Sequence, residues 1–104
     1  MARVLAIVPD LMLASRVEES LRSAGHDVSV RASLPDSIEA ELLVCDLDAV
    51  DVKKVVQAGV PILGFYSHVE IETKKAADAA GIDLAVPRSR MARELPQLVA
   101  RLLA

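Results

Sequence analysis

The residues best suited to chemistry stand directly after apolar runs. Asp46 and Asp48 follow the run 42–45, and Ser67 follows the run 62–66. A strand that is apolar on both sides belongs in the interior of a parallel sheet. Open α/β sheets bind their ligands in the crevice at the carboxyl ends of such strands. We therefore expect these side chains, and Asp46 above all, to lie at the functional edge of the protein.

The two histidines do not complete a nucleophile–base pair. His68 is adjacent to Ser67, and neighbouring residues of a strand point to opposite faces of the sheet. His26 begins a different predicted strand and so lies at the opposite, amino-terminal edge of the sheet. Asp46, Asp48 and His68 could hold a metal, but they lack a recognised ligand spacing. We expect no catalytic residue and therefore no enzyme.

Composition narrows the class of partner. The chain has 104 residues, the size of one domain, so we expect a single domain over 1–104 with no output domain. The net charge of −3 argues against nucleic acid, because phosphate binding needs clustered lysine and arginine. No glycine-rich phosphate loop follows the first apolar run, so we expect no nucleotide cofactor.

Cysteine usage and the first apolar run indicate the compartment. Cys45 is the only cysteine, so it forms no internal disulfide, which fits a reducing compartment. The run 4–8 is too short for a signal peptide or a membrane span and is soon followed by Asp10. We expect a cytoplasmic protein that does not bind membranes.

Strand and helix signals alternate five times along the chain. Asp10 is placed to cap the first helix, and Gly25 to end it. The strands are predicted at 4–8, 26–31, 42–46, 62–66 and 82–86. The helices are predicted at 11–24, 52–58, 70–80 and 95–103, with a turn or two of helix in 34–41. This alternation predicts an α/β doubly wound parallel sheet in the flavodoxin-like order 2-1-3-4-5.

Two connections are predicted to be irregular. About ten residues, including Pro35, join the second strand to the third, whereas a parallel crossover usually needs a dozen or more. We therefore expect a shortened second helix. Pro96 fits best in the first turn of a helix, so we expect a loose turn over 90–94 before the last helix.

With the strand ends gathered at one edge, the sequence resembles the receiver domain of bacterial two-component response regulators, a CheY-like domain, over nearly its whole length. In that family an aspartate that ends the third strand accepts a phosphoryl group, and two acids after the first strand hold Mg²⁺. A serine or threonine ends the fourth strand, and a lysine ends the fifth. The resemblance implies that Asp46 is the phospho-acceptor position and Ser67 the hydroxyl position.

The remaining motif positions depart from the family. The acid pair falls on Val8 and Pro9, and Asp10 comes one step too late. The lysine position falls on Arg88, whose planar guanidinium does not replace a compact ammonium. Asp48 lies two residues beyond the acceptor, where the family usually offers a backbone carbonyl to the metal.

These departures imply a degenerate receiver, or pseudo-receiver. Without the acid pair, a metal would depend on Asp46 and Asp48, and we expect Arg88 to form an ion pair with Asp46. We expect a stand-alone signalling module that acts by protein–protein contact, without a cofactor and without efficient phosphotransfer. One alternative is a phosphorylatable receiver that uses Mg²⁺ and Asp46. The other is a small-ligand or anion binder around Arg88, Ser67 and Asp46.

A mixed-charge face is predicted on the helix at 70–80, the fifth strand and the last helical segment, 90–103. Receiver domains often pair through this face across a two-fold axis, and charges of both signs suit such a self-complementary contact. We expect other signalling proteins, or a second copy of the chain, as partners. The residues of this face are Lys74, Lys75, Asp78, Asp83, Arg90 and Arg93.

Overall fold

The structure is a computed structural model that describes residues 2–67 and 81–104. Among the described helices, none is both long and apolar enough to cross a membrane. Outside the described residues lie the helix predicted over 70–80 and the residues His68, Lys74, Lys75 and Asp78.

Five strands form one sheet. They are β1 (Arg3–Ile7), β2 (Asp27–Arg31), β3 (Leu42–Asp46), β4 (Ile62–Tyr66) and β5 (Leu84–Pro87). All neighbouring pairs are parallel, and the order is β2-β1-β3-β4-β5. The predicted doubly wound, flavodoxin-like sheet is confirmed. The last strand begins two residues later than predicted.

The described helices lie on both faces of the sheet. They are α1 (Leu11–Ser23), α2 (Val52–Val55) and α3 (Arg88–Leu103), and a 3₁₀ turn, Val56–Ala58, continues α2. The three central strands are apolar without alternation because successive residues enter opposite cores. Thus Val44 belongs to the core under α1 and α3, whereas Leu43 and Cys45 belong to the core on the α2 side.

The connection between β2 and β3 holds no helix. Residues 32–41 form bends only, so the turn or two of helix predicted there was wrong. About ten residues must cross β1 and reach the start of β3, and Pro35 disfavours helix for the residue before it. Leu34 and Ile38 still pack against the core on the α2 side, so an irregular segment covers part of the face that a helix would cover.

The absent helix explains the alternation of β2. Asp27, Ser29 and Arg31 are exposed, whereas Val28 is buried and Val30 is half-buried. The two valines face the core under α1. The three polar residues point to the other face of the sheet, where the connection leaves β2 uncovered.

The last helix bends where the sequence carries a proline. It begins at Arg88, so the loose turn predicted over 90–94 was wrong. The backbone is non-helical at Glu94, with φ −122° and ψ 15°, so Pro96 lies in the first turn of the second helical stretch, as predicted. Pro96 has no N–H for the carbonyl four residues earlier and its ring crowds that turn. Met91 and Leu95 are buried on either side of the bend, so packing holds both halves of the helix on the sheet.

A close contact between neighbouring strands positions the segment that follows β3. Leu47, which stands between Asp46 and Asp48 in the sequence, is buried, and its N–H donates to the Phe65 carbonyl at 2.8 Å. A Cβ built on Gly64 would lie 2.7–2.8 Å from three atoms of the Leu47 side chain. Glycine at position 64 therefore gives Leu47 the space in which it lies.

We expect Gly64→Ala to lower the free energy of unfolding by about 1–3 kcal/mol, because the added methyl group overpacks this contact. Urea denaturation measures the change. In the Leu47→Ala background the same substitution should cost much less, since the atoms that it meets are gone. An equal cost in both backgrounds would contradict this explanation.

Candidate functional site

Side chains from four strand ends meet at the carboxyl edge of the sheet. Asp10 follows β1, Asp46 ends β3, Ser67 follows β4 and Arg88 follows β5. Asp48 lies in the turn after β3. The structure brings these five residues together at one edge. Asp10 pairs with Arg88, and Asp48 bonds to both Asp46 and Ser67. The charges of Asp10 and Arg88 also act on Asp46.

The Asp10 carboxylate is committed to the start of α1. Its Oδ1 accepts hydrogen bonds from the backbone N–H groups of Met12 at 3.0 Å and Leu13 at 3.1 Å. This confirms the predicted N-cap. Its other oxygen, Oδ2, lies 3.8 Å from Nη2 of Arg88. Both oxygens of Asp10 therefore have partners within the chain.

Arg88 pairs with Asp10 and not with Asp46, so the ion pair predicted between Arg88 and Asp46 was wrong. The sequence placed the arginine at the correct edge but could not determine which carboxylate its long side chain reaches. The charge still acts on Asp46, whose pKa it lowers. Other groups set the direction of the net pKa shift of Asp46.

Asp46 is half-buried at the end of β3. Burial raises the pKa of its carboxyl group above the usual value, and the carboxylates of Asp48 and Asp10 act in the same direction. The Asp48 N–H, which donates to Asp46 Oδ1 at 2.9 Å, and the charge of Arg88 oppose this rise without cancelling it. Asp46 thus lies in a site where negative charge is poorly compensated.

Asp48 joins the end of β3 to the end of β4. Its Oδ2 accepts hydrogen bonds from the Ser67 backbone N–H at 3.0 Å and from the Ser67 hydroxyl at 2.5 Å. The short second bond is charge-assisted. Sequence analysis missed this contact, because Asp48 was considered as a neighbour of a possible metal. The cap of α2 is Asp51, which accepts from Lys53 N at 3.1 Å.

The donors at this edge do not fit the Mg²⁺ that the resemblance implies. Val8 is 2% exposed and Pro9 has no polar side-chain atom. Mg²⁺ needs near-octahedral oxygen ligands, and Asp10 already caps a helix. In the described ranges, no group of three or more His, Cys, Asp or Glu side chains is placed to hold a metal ion.

An open cavity of about 500 Å³ lies beside these residues. Arg16 of α1 and Ser89 of α3 line it together with Asp10, Ser67 and Arg88. The anion binder predicted around Arg88, Ser67 and Asp46 would use this space through Arg88 and Ser67, because Asp46 is not among the lining residues. Sequence analysis missed Arg16, although its place in the second turn of a helix that begins at the carboxyl edge of the sheet was visible.

Two large apolar side chains stand in solvent beside the cavity. Leu11 is 83% exposed and Met12 is 77% exposed, whereas Leu13 of the same helix turn is buried. Exposed apolar groups next to a polar cleft are typical of protein interaction surfaces. Sequence analysis missed them, although their offset from the buried positions 13, 17 and 21 was visible.

The described members of the predicted mixed-charge face have partners within the chain. Asp83 accepts from the Ile62 backbone N–H at 2.8 Å. Arg90 and Arg93 both pair with Glu94, at 3.4 and 3.3 Å. Each of these side chains would have to exchange an internal contact for an external one if the face binds a partner.

Cys45 is a core residue. It is fully buried in β3, and desolvation, helped by the nearby charge of Asp46, raises the pKa of its thiol to about 12. A thiol with such a pKa is protonated and unreactive at neutral pH. The role of Cys45 is therefore to pack in the core.

Comparison with known proteins gives a result at the level of fold. No family model and no curated protein sequence matches this chain. A candidate response regulator from Chloroflexus aurantiacus is 27% identical, with a TM-score of 0.78 and coverage of 98% of this chain and 97% of that one. The chemotaxis response regulator CheY4 of Vibrio cholerae is 20% identical, with a TM-score of 0.82 and 98% coverage of both chains. The non-phosphorylated HemR receiver domain of Leptospira biflexa is 17% identical, with a TM-score of 0.83 and coverage of 100% of this chain and 95% of that one.

We expect Asp46→Asn to stabilise the protein at neutral pH. The raised pKa means that the folded protein binds this proton more tightly than the unfolded chain, so stability falls as pH rises through the window between the two pKa values. The amide keeps an acceptor for the Asp48 N–H and removes the charge.

The gain should be below about 1 kcal/mol at neutral pH, since solvent screens a half-exposed group. It should vanish when the pH falls below about 3.9, the ordinary aspartate pKa, because Asp46 is then protonated in both states. Thermal unfolding across this pH range measures it. Asp36→Asn, at an exposed position away from the site, is the control, and a gain that persists in acid would contradict the assignment.

Proposed function

Because the chain has the receiver-domain fold of bacterial response regulators, we propose that it is an atypical signalling module of that class. It binds other signalling proteins and does not carry out efficient phosphotransfer at Asp46. It acts in the cytoplasm, and its one cysteine, Cys45, packs in the core rather than serving a crosslink.

One observation carries this proposal. Asp10, the acid nearest to the metal position, uses Oδ1 to cap α1 and places Oδ2 against Arg88. Removing it from the cap would cost about 1 kcal/mol of helix stability. Val8 and Pro9 offer no replacement. The site therefore has too few oxygen ligands to hold the Mg²⁺ that would offset charge on a transferred phosphoryl group.

The other two positions that would contact a phosphoryl group also have internal partners. The Ser67 hydroxyl donates to Asp48 rather than pointing freely into the crevice. Arg88 lies against Asp10. A phosphoryl group on Asp46 would enter a site in which burial and two neighbouring carboxylates already disfavour negative charge. Each of these internal contacts favours a module whose site stays in one conformation.

The exposed pair Leu11 and Met12 supports binding to a protein. These side chains lie at the start of α1, beside the cavity lined by Asp10 and Arg88. A partner that covers them removes apolar surface from water and reaches charged groups around the cavity. Such an arrangement, with apolar anchors and a polar rim, is typical of protein interfaces.

The phosphotransfer part of the proposal has a direct test. The protein is incubated with Mg²⁺ and acetyl phosphate, and its intact mass is measured over time. We expect no stoichiometric gain of a phosphoryl group, because the metal ligands are missing. The matched control is Asp46→Asn, which removes the carboxylate that would accept the phosphoryl group. A stoichiometric adduct that disappears in Asp46→Asn would establish the phosphorylatable receiver instead.

A second candidate function is the binding of a small anion, and the cavity of about 500 Å³ lined by Arg16 and Arg88 favours it. Under this function, inorganic phosphate at ten times its dissociation constant stabilises the fold by about 1.4 kcal/mol. Thermal unfolding with and without phosphate measures the effect. Arg16→Ala should abolish it and Arg101→Ala, at an exposed position near the end of α3, should not; no phosphate effect in the wild type rules this function out.

A further inference from the structure

The strand β2 forms one edge of the sheet, with its outer side turned away from β1. The Asp27 N–H donates to the Ala2 carbonyl at 2.9 Å, and the Arg31 carbonyl accepts from the Val8 N–H at 3.0 Å. Backbone groups of alternate residues point to opposite sides of a strand, so those of Val28 and Val30 point outward. Such an edge is a template for another strand.

The sequence of β2 is complementary to itself. It reads Asp-Val-Ser-Val-Arg, with opposite charges at its two ends. When two copies of the strand are placed antiparallel about Ser29, Asp27 of each lies opposite Arg31 of the other. Val28 then lies opposite Val30 of the other copy. A two-fold contact requires this kind of self-complementary patch.

We propose that two copies of this chain associate through β2, in an antiparallel pairing centred on Ser29. The pairing joins the two five-stranded sheets into one continuous sheet. Val28 of one copy and Val30 of the other exchange both of their N–H and C=O groups. The pair of Asp27 and Arg31 is then a non-hydrogen-bonded pair, in which the side chains lie closer together than in a hydrogen-bonded pair.

The missing helix between β2 and β3 makes this approach possible. Asp27, Ser29 and Arg31 are exposed, and a cavity of about 360 Å³ separates them from the segment 35–40. No helix of the described residues stands over this face of β2. The second copy therefore reaches the strand edge from this side without meeting a helix, and its Arg31 enters a space that already contains Asp27.

One side chain occupies part of the edge in the single chain. Nη2 of Arg22 donates to the Val28 carbonyl at 3.3 Å, and the same atom lies 3.6 Å from Glu18 Oε2. The bond is long, and the Arg22 side chain is 59% exposed, so its release costs little. Arg22 keeps Glu18 as a partner when the second strand takes its place.

The contact is short, so the dimer is weak. Five residues on each side give an interface at the lower end of the range for specific association, and we expect a dissociation constant on the order of tens of micromolar. Because the two ion pairs are exposed, salt should weaken the dimer. This association does not depend on Asp46 or on phosphate transfer.

The experiment is sedimentation velocity of the full chain over a concentration series. We expect the wild type to pass from monomer to dimer. Asp27→Arg should raise the dissociation constant at least about tenfold, because each copy then presents only positive charge at the two ends of β2. Arg31→Asp should do the same with negative charge. An equimolar mixture of the two variants should dimerise again, because every opposed pair is then one acid and one arginine.

Matched controls carry the same charge changes at exposed positions outside β2. Asp36→Arg and Arg101→Asp should dimerise as the wild type does, and their mixture should gain nothing. The proposal is overturned if the wild type stays monomeric at high concentration, or if the mixture of Asp27→Arg and Arg31→Asp fails to associate. It is also overturned if the dimer persists in both single variants and is lost in Arg90→Ala or Arg93→Ala, which would place the contact on α3.

Discussion

The Asp10 carboxylate caps the start of α1, and this contact determines how the charges at the carboxyl edge of the sheet are paired. The first N–H groups of a helix need acceptors, and the Asp10 carboxylate supplies one to Met12 and Leu13. Its second oxygen then attracts Arg88 from the end of β5. A single side chain thus completes a helix and neutralises an arginine, and it leaves Asp46 with weaker compensation for its own charge.

On the other side of Asp46, Asp48 and Ser67 are likewise paired with each other. The two hydrogen bonds between them tie the turn after β3 to the end of β4. In a site that responds to a phosphoryl group, a hydroxyl at this place would have to be available. Here the internal bond satisfies it, so the edge is arranged as a set of closed contacts around one half-buried carboxylate.

The sequence predicted those features that depend on periodicity and on the ends of elements. The runs 42–45 and 62–66 were predicted to be interior strands because they are apolar without alternation. Asp10 was recognised as a cap from its position before an apolar helix face. The strand order followed from the regular alternation of strands and helices.

The remaining features depend on which of several competing partners a side chain or segment finds in three dimensions. Arg88 lies near the carboxylates of Asp10 and Asp46, and only the folded structure shows that it pairs with Asp10. Residues 32–41 cover part of the sheet without a helix, through Leu34 and Ile38, which a count of residues does not reveal. The bond between Asp48 and Ser67 joins residues nineteen apart in the sequence, so no local pattern predicts it.

The most direct measurement of the central claim is a titration with Mg²⁺, followed by the backbone amide signals in ¹H–¹⁵N NMR spectra. Sodium chloride at matched ionic strength is the reference. If Asp10 is committed to α1 and Arg88, the amides of Met12, Leu13 and Asp48 should shift no more with Mg²⁺ than with sodium. Saturable shifts confined to these amides and absent from Asp46→Asn would show that a divalent cation binds at this edge, and would contradict the account.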